Sequence, residues 1–153
     1  MQPNAPPHTL YSLLLEDFFK LNDMPAISAD PQGVFSFCVE EHLIINVGYR
    51  DITREIILFS LLGQLPEIEQ AHHAKQLLKA NLFPKGLDCV FALTEKQGIV
   101  LTAKHALQNF SAQQMSTWVT QYTKLASHWQ TQLNSTKVTT PSGDHHQLFN
   151  NFA

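Results

Sequence analysis

Apolar residues recur along this chain with two different periods, and the switches between them predict eight elements. From Thr9 to Asn22, TLYSLLLEDFFKLN repeats apolar side chains at helical spacing. Thr9 is placed to cap the start, and Asn22-Asp23-Met24-Pro25 to stop the end. At about 100° per residue, Leu10, Leu14, Phe18 and Leu21 form one stripe. Tyr11, Leu15 and Phe19 widen it on one side and Leu13 on the other, to about 240° in all. One core face cannot use so broad a stripe. Either the helix is sandwiched between two layers, or part of it is reserved for another chain.

Strand-like alternation follows in VFSFCVE from Val34, LIINVGY from Leu43 and EIILFSLLG from Glu55, separated by Glu41-His42 and by the polar stretch 50–54. Phe35, Phe37 and Val39 share one face of the first strand, as do Leu43, Ile45, Val47 and Tyr49 of the second. The third is apolar on both faces, which predicts an interior position. Pro66 suits the first turn of a helix from Glu67 to Leu82, with Ile68, Ala71, Ala74, Lys75, Leu78 and Leu82 along one side. LDCVFALTE from Leu87 and GIVLTA from Gly98 read as a hairpin turning at Lys96-Gln97-Gly98. Ser111 and Gln114 have the spacing of a capping box. Behind them Met115, Trp118, Val119, Tyr122, Leu125, Ala126, Trp129 and Leu133 fall within about 120° of a long amphipathic helix. The expected organisation is a single domain over 1–134, followed by a flexible polar tail over 135–153.

At 153 residues, such a domain buries about two thirds of the surface its unfolded chain exposes. Ten Lys and Arg stand against 13 Asp and Glu, a formal charge of −3 that gives no long-range attraction to phosphate backbones, so nucleic acid is not expected as a partner. No apolar run approaches the roughly 20 residues that span a bilayer, and residues 1–8 have no signal-peptide core. Without membrane insertion the chain is expected to be cytoplasmic. Cys38 and Cys89 lie far apart in strand-like segments and are expected to be buried reduced thiols.

Candidate chemistry is sparse. No nucleophile elbow, phosphate-binding glycine loop, dinucleotide fingerprint or zinc-protease motif occurs in the sequence. His72 and His73 point about 100° apart on a helix and cannot share one ion. Glu69 with His73, or Asp144-His145-His146 in the tail, supplies too few fixed ligands for a metal. Cys38 with His42 is the nearest approach to a nucleophile and base, but no third residue orients the histidine. The expectation is no enzyme, no metal and no cofactor.

The order of elements, together with LLLEDFFKLN, EIILFSLLGQLP, AKQLLKANLF and GIVLTAKHAL, resembles the class I type III secretion chaperones, the Tir chaperone-like family, over Leu10–Leu133. The leucine-rich block ending in Leu-Pro, and the helix closing on Leu-Leu-x-Ala-Asn, carry most of the likeness. It implies an α+β fold, a twisted antiparallel sheet with helices in the order α-β-β-β-α-β-β-α. It also implies a cytoplasmic homodimer serving the export of virulence effectors, with the secretion apparatus ATPase as a further partner.

What the resemblance implies for individual residues falls on two surfaces. Ile68, Ala71, Ala74, Leu77, Leu78, Leu82 and Val90 take the dimer interface. The effector's extended N-terminal segment is expected on Leu14, Leu15, Phe18, Phe19, Phe35, Phe37, Ile45 and Val47. Two rival readings remain open at this stage. One is a regulatory adaptor of the same fold that binds a folded partner. The other is a small cofactor-independent enzyme using Cys38 and His42.

Overall fold

The computed structural model describes residues 7–82 and 87–135. In chain order the elements are α1 (Pro7–Leu21), β1 (Phe35–Val39), β2 (Leu43–Arg50), β3 (Glu55–Gln64), α2 (Gln70–Leu82), β4 (Cys89–Leu93), β5 (Gly98–Ala106) and α3 (Ala112–Asn134). Five antiparallel strands form one sheet in the order β1-β2-β3-β5-β4, so β3 is central and β1 and β4 are the edges. This is the α+β architecture expected from the sequence.

The register assigns each strand its faces. Phe37 pairs with Ile45, Val47 with Leu58, and Leu58 with Ala103, which puts these side chains on one face. Helices α1 and α3 lie against that face, and the main core forms there around Leu43, Ile45, Ile56, Leu58, Leu101, Met115 and Tyr122. Tyr122 donates its buried hydroxyl to the Leu101 carbonyl at 2.8 Å. Ile57, Phe59 and Val100 alternate to the opposite face and form a second buried cluster with Val34. An apolar run on both faces of β3 is therefore explained by its central position.

Ends of elements follow local chemistry. The α3 capping box is present: Gln114 N–H donates to Ser111 Oγ at 3.2 Å, and Ser111 N–H donates to Gln114 Oε1 at 2.9 Å. The β4–β5 turn closes with Gln97 at φ 63° and Thr94 N–H donating to the Gly98 carbonyl at 2.9 Å. Helix α2 begins at Gln70 rather than Glu67. Glu69 sits at φ 58°, outside the helical region, and Leu65 N–H is held by the Gln97 carbonyl at 2.8 Å, prolonging the strand path past Gln64. Pro66 consequently precedes the helix without entering its first turn. Ser135 closes α3, with its N–H donating to Thr131 O at 3.0 Å; the remainder of the expected tail lies outside the described residues.

Candidate functional site

Helix α1 ends in a Schellman motif, and that motif shapes an apolar concavity beside the helix. Asp23 adopts φ 51°, Met24 N–H donates to the Phe19 carbonyl at 2.9 Å, and Asp23 N–H donates to Lys20 O at 3.3 Å. The chain is thereby turned back beside the helix it has just left. The Asn22 side chain adds a bond to Phe18 O at 2.8 Å and accepts one from Ser116 Oγ of α3 at 2.8 Å, which fixes the corner to the core. Further along, Asp30 Oδ1 accepts from Gln32 N–H and Val34 N–H, both at 2.9 Å, and Gly33 at φ 80° completes the turn into β1. A side chain at Gly33 would have room but not the backbone conformation.

Between α1, the returning segment 24–29 and the edge strand β1 lies an open groove of about 590 Å³. Leu15 and Phe19 supply its helix wall, Met24, Ala26, Ile27 and Ala29 the opposite wall, and Phe35 of β1 its end. Ser12, Glu16, Lys20 and Ser28 form a polar margin. Behind it, aromatic rings continue into the core: Phe19 meets Phe35 at 5.9 Å, Tyr11 meets Phe35 at 6.1 Å, and Tyr11 stacks on Tyr49 at 5.2 Å. Tyr11 donates its hydroxyl to the Val47 carbonyl at 3.1 Å. Burial, reinforced by the negative charge of Asp30, raises its pKa well above the ordinary phenol range. The packing behind the groove is thus aromatic, with the Tyr11 phenol neutral.

Of the eight residues expected to contact an effector, Leu15, Phe19 and Phe35 are brought together in this groove. Leu14, Phe18, Phe37, Ile45 and Val47 are buried in the main core and do not line the groove, whereas Leu15 and Phe19 line it while belonging to the same core, at 1% and 5% exposure. The expected place of the first five on an exposed patch is corrected accordingly. Helix α1 packs on the β1–β2 face and, along its side, against α3, which consumes most of its wide stripe, while Leu13 remains 45% exposed. The sequence reading counted Met24 only within a helix stop and gave Ala26, Ile27 and Ala29 no role. The apolar run that continues past Pro25 was the available signal.

A second apolar surface involves α2 and β4. Ile68, just before the helix, is 82% exposed, Leu78 and Leu82 are each 69% exposed, and Val90 is 46% exposed. Ala71 is also exposed and Ala74 half-buried. Leu77 is corrected: at 5% exposure it faces the protein's own core beside Cys89 and does not belong to an outer surface.

Of the two thiols, Cys89 has the expected burial and Cys38 departs from it. Cys89 is buried, and burial, with Asp88 adding to it, pushes its pKa up to about 11. Cys38 is exposed, because it alternates with Phe37 to the other side of the edge strand. His42 also lies in solvent, and its carbonyl, not its ring, accepts from Gln130 Nε2 at 3.3 Å. Among the described residues no cluster of three His, Cys, Asp or Glu side chains could hold a metal ion.

Among the described residues, an open apolar groove beside the edge strand β1 is accompanied by exposed apolar side chains on α2 and β4. Residues 13–130 match the sequence model of the Tir chaperone protein (CesT) family, and the chain belongs to that family. Its family and fold are those of non-enzymatic secretion chaperones. Among solved structures it is similar to the type III secretion chaperone SycH of Yersinia pestis in complex with a stable fragment of YscM2, at TM-score 0.62 and 20% identity, covering 77% of this chain and 98% of that one. It is also similar to the HopA1-SchA chaperone–effector complex, at TM-score 0.68 and 17% identity, covering 84% and 98%. YbjN of E. coli, a putative transcription regulator, shares the fold at TM-score 0.63 and 12% identity, covering 83% and 93%. No curated protein matches the chain by sequence. At such identities the structures speak for the fold, and the family match carries the functional assignment.

Proposed function

We propose that this protein is a cytoplasmic type III secretion chaperone that holds the N-terminal segment of an effector in extended form and keeps it ready for export. The α1–β1 groove is the observation that carries this reading. It is apolar, open to solvent and bordered by an edge strand whose outward peptide groups can accept another strand. Two or three client side chains of Leu or Phe size seated there contribute about 1.5–3 kcal/mol each, which offsets the ordering of the client. Leu15, Phe19, Ile27 and Phe35 contact those side chains, while main-chain hydrogen bonds to β1 hold the segment without demanding one sequence.

In the same proposal the working unit is a homodimer joined through α2 and β4, with Ile68, Ala71, Ala74, Leu78, Leu82 and Val90 facing their twins across a two-fold axis. The exposure of four large apolar side chains on this surface supports it. No catalytic step is assigned, and the loaded complex is handed to the ATPase of the secretion apparatus. Among the described residues no helix is long and apolar enough to cross a membrane, which accords with a role ahead of that apparatus.

The test is co-purification from the native host followed by limited proteolysis. A bound effector should leave a short protected N-terminal fragment, and light scattering should give two chaperones per client. Protection of a whole folded domain would instead assign the fold to an adaptor. Replacing Ala26 with Trp and Ala29 with Asp, both at exposed positions, should fill and charge the groove and abolish client binding with the melting temperature unchanged.

A further inference from the structure

Helix α2 is held to its own subunit by few side chains. Of its described residues Leu77 alone is buried, with Ala74 packed half-buried against the same core. Apolar contacts are non-directional and tolerate some turning and sliding of the helix. Asn81 adds the direction they lack. Phe91 N–H donates to Asn81 Oδ1 at 2.7 Å, and Asn81 Nδ2 donates to the Phe91 carbonyl at 3.0 Å. A planar amide with its donor and its acceptor both engaged on one residue of β4 fixes the rotation of the helix and its height along the strand together. The tether at the other end of α2, from Gln70 Nε2 to Gln97 Oε1 at 3.3 Å, is single and exposed.

Leu77 and Asn81 are four residues apart and face inward together. Leu78 and Leu82 repeat that spacing one residue on, about 100° round the helix, and are largely exposed. The inward pair therefore decides where the outward pair points. Phe91 is also the neighbour of Val90, the exposed apolar side chain beside it in β4. One amide thus ties Leu78 and Leu82 to Val90 across two elements. Asparagine is a poor helix former, so its place in the last turn of α2 is explained by this clamp and not by the helix itself. We infer that Asn81 is a positioning residue for the subunit seam: it seats α2 on β4 so that Leu78, Leu82 and Val90 form one preformed surface for a second copy of the chain. This rests on the dimer reading above. A helix left free to turn has to be ordered at the moment of association, which weakens the dimer without removing any apolar side chain from the seam.

Sedimentation and amide hydrogen exchange test this together. The wild-type chain should sediment as a dimer, and Asn81→Ala should raise the dimer dissociation constant about tenfold, the scale of one or two lost hydrogen bonds. The exchange arm uses Leu78→Asp with Leu82→Asp, a background in which no seam shields α2. There Asn81→Ala should speed the amides of Phe91 and of α2 by about five- to tenfold, while those of the central strand β3 stay unchanged. A dimer constant that Asn81→Ala does not move overturns the inference. So does a weakened dimer with α2 exchanging as before in the monomeric background, since Asn81 would then act by touching the partner and not by seating the helix. A wild-type chain that sediments as a monomer overturns the dimer reading itself, and the seam with it. If Asn81→Ala does not fold, Asn81→Asp takes its place in both arms with the same expected directions, because it keeps an acceptor for Phe91 N–H and loses the donor to the Phe91 carbonyl.

Discussion

Phe18 and Phe19 are adjacent on one helix, yet they serve different ends. The Phe18 ring lies against Phe37 at 6.2 Å inside the core, whereas Phe19 lines the groove and meets Phe35. Phe18→Ala should therefore cost about 3–5 kcal/mol in denaturant unfolding, the usual range for an aromatic cavity in a core. Cys89 offers a second residue-scale test. Its pKa is raised from 9.0 to about 11 in the fold, so the contribution of the neutral thiol is complete below pH 9 and is lost as pH rises toward 11. Stability should decline over that window, and Cys89→Ala should flatten the decline. A thiol reagent should label Cys38 in the native protein and reach Cys89 only on unfolding. From sequence alone both cysteines look alike, since each sits in an apolar strand; the alternation of β1 with only one covered face is what separates them.

Elements were more legible than their depths. The α3 cap could be read because Ser111 and Gln114 satisfy each other locally, with no help from distant residues. Ser111→Ala should lower stability by about 0.5–2 kcal/mol, measured by thermal or denaturant unfolding. The start of α2 was misread because Pro66 is equally at home before a helix and inside its first turn. The deciding features, the left-handed conformation of Glu69 and the bond from Leu65 to Gln97, arise only once β3 and β5 are paired. Helix α1 shows the same division. Its width signalled that more than one layer would claim it, but not which. The core claims Leu14, Leu15, Phe18 and Phe19 alike, and of these Leu15 and Phe19 also line a groove with a segment whose return path depends on the Schellman turn at Asp23.

For the molecule as a whole, the doubly apolar β3 announced the centre of the sheet, and the order of elements followed. What sequence could not supply was the pairing of two surfaces: the groove at one edge of the sheet, and the exposed α2–β4 face associated with the other. The second predicts association. Leu78→Asp with Leu82→Asp should convert a dimer to a monomer in sedimentation experiments with little change in the fold, because both side chains are largely in solvent within one subunit. The first carries the central claim, that an extended guest lies between α1 and β1. Hydrogen exchange of the chaperone with and without its co-purified effector measures this most directly. The account predicts new protection over residues 12–29 and along 35–39. Protection confined to other regions, with the groove exchanging as fast in the complex as in the free protein, would contradict it.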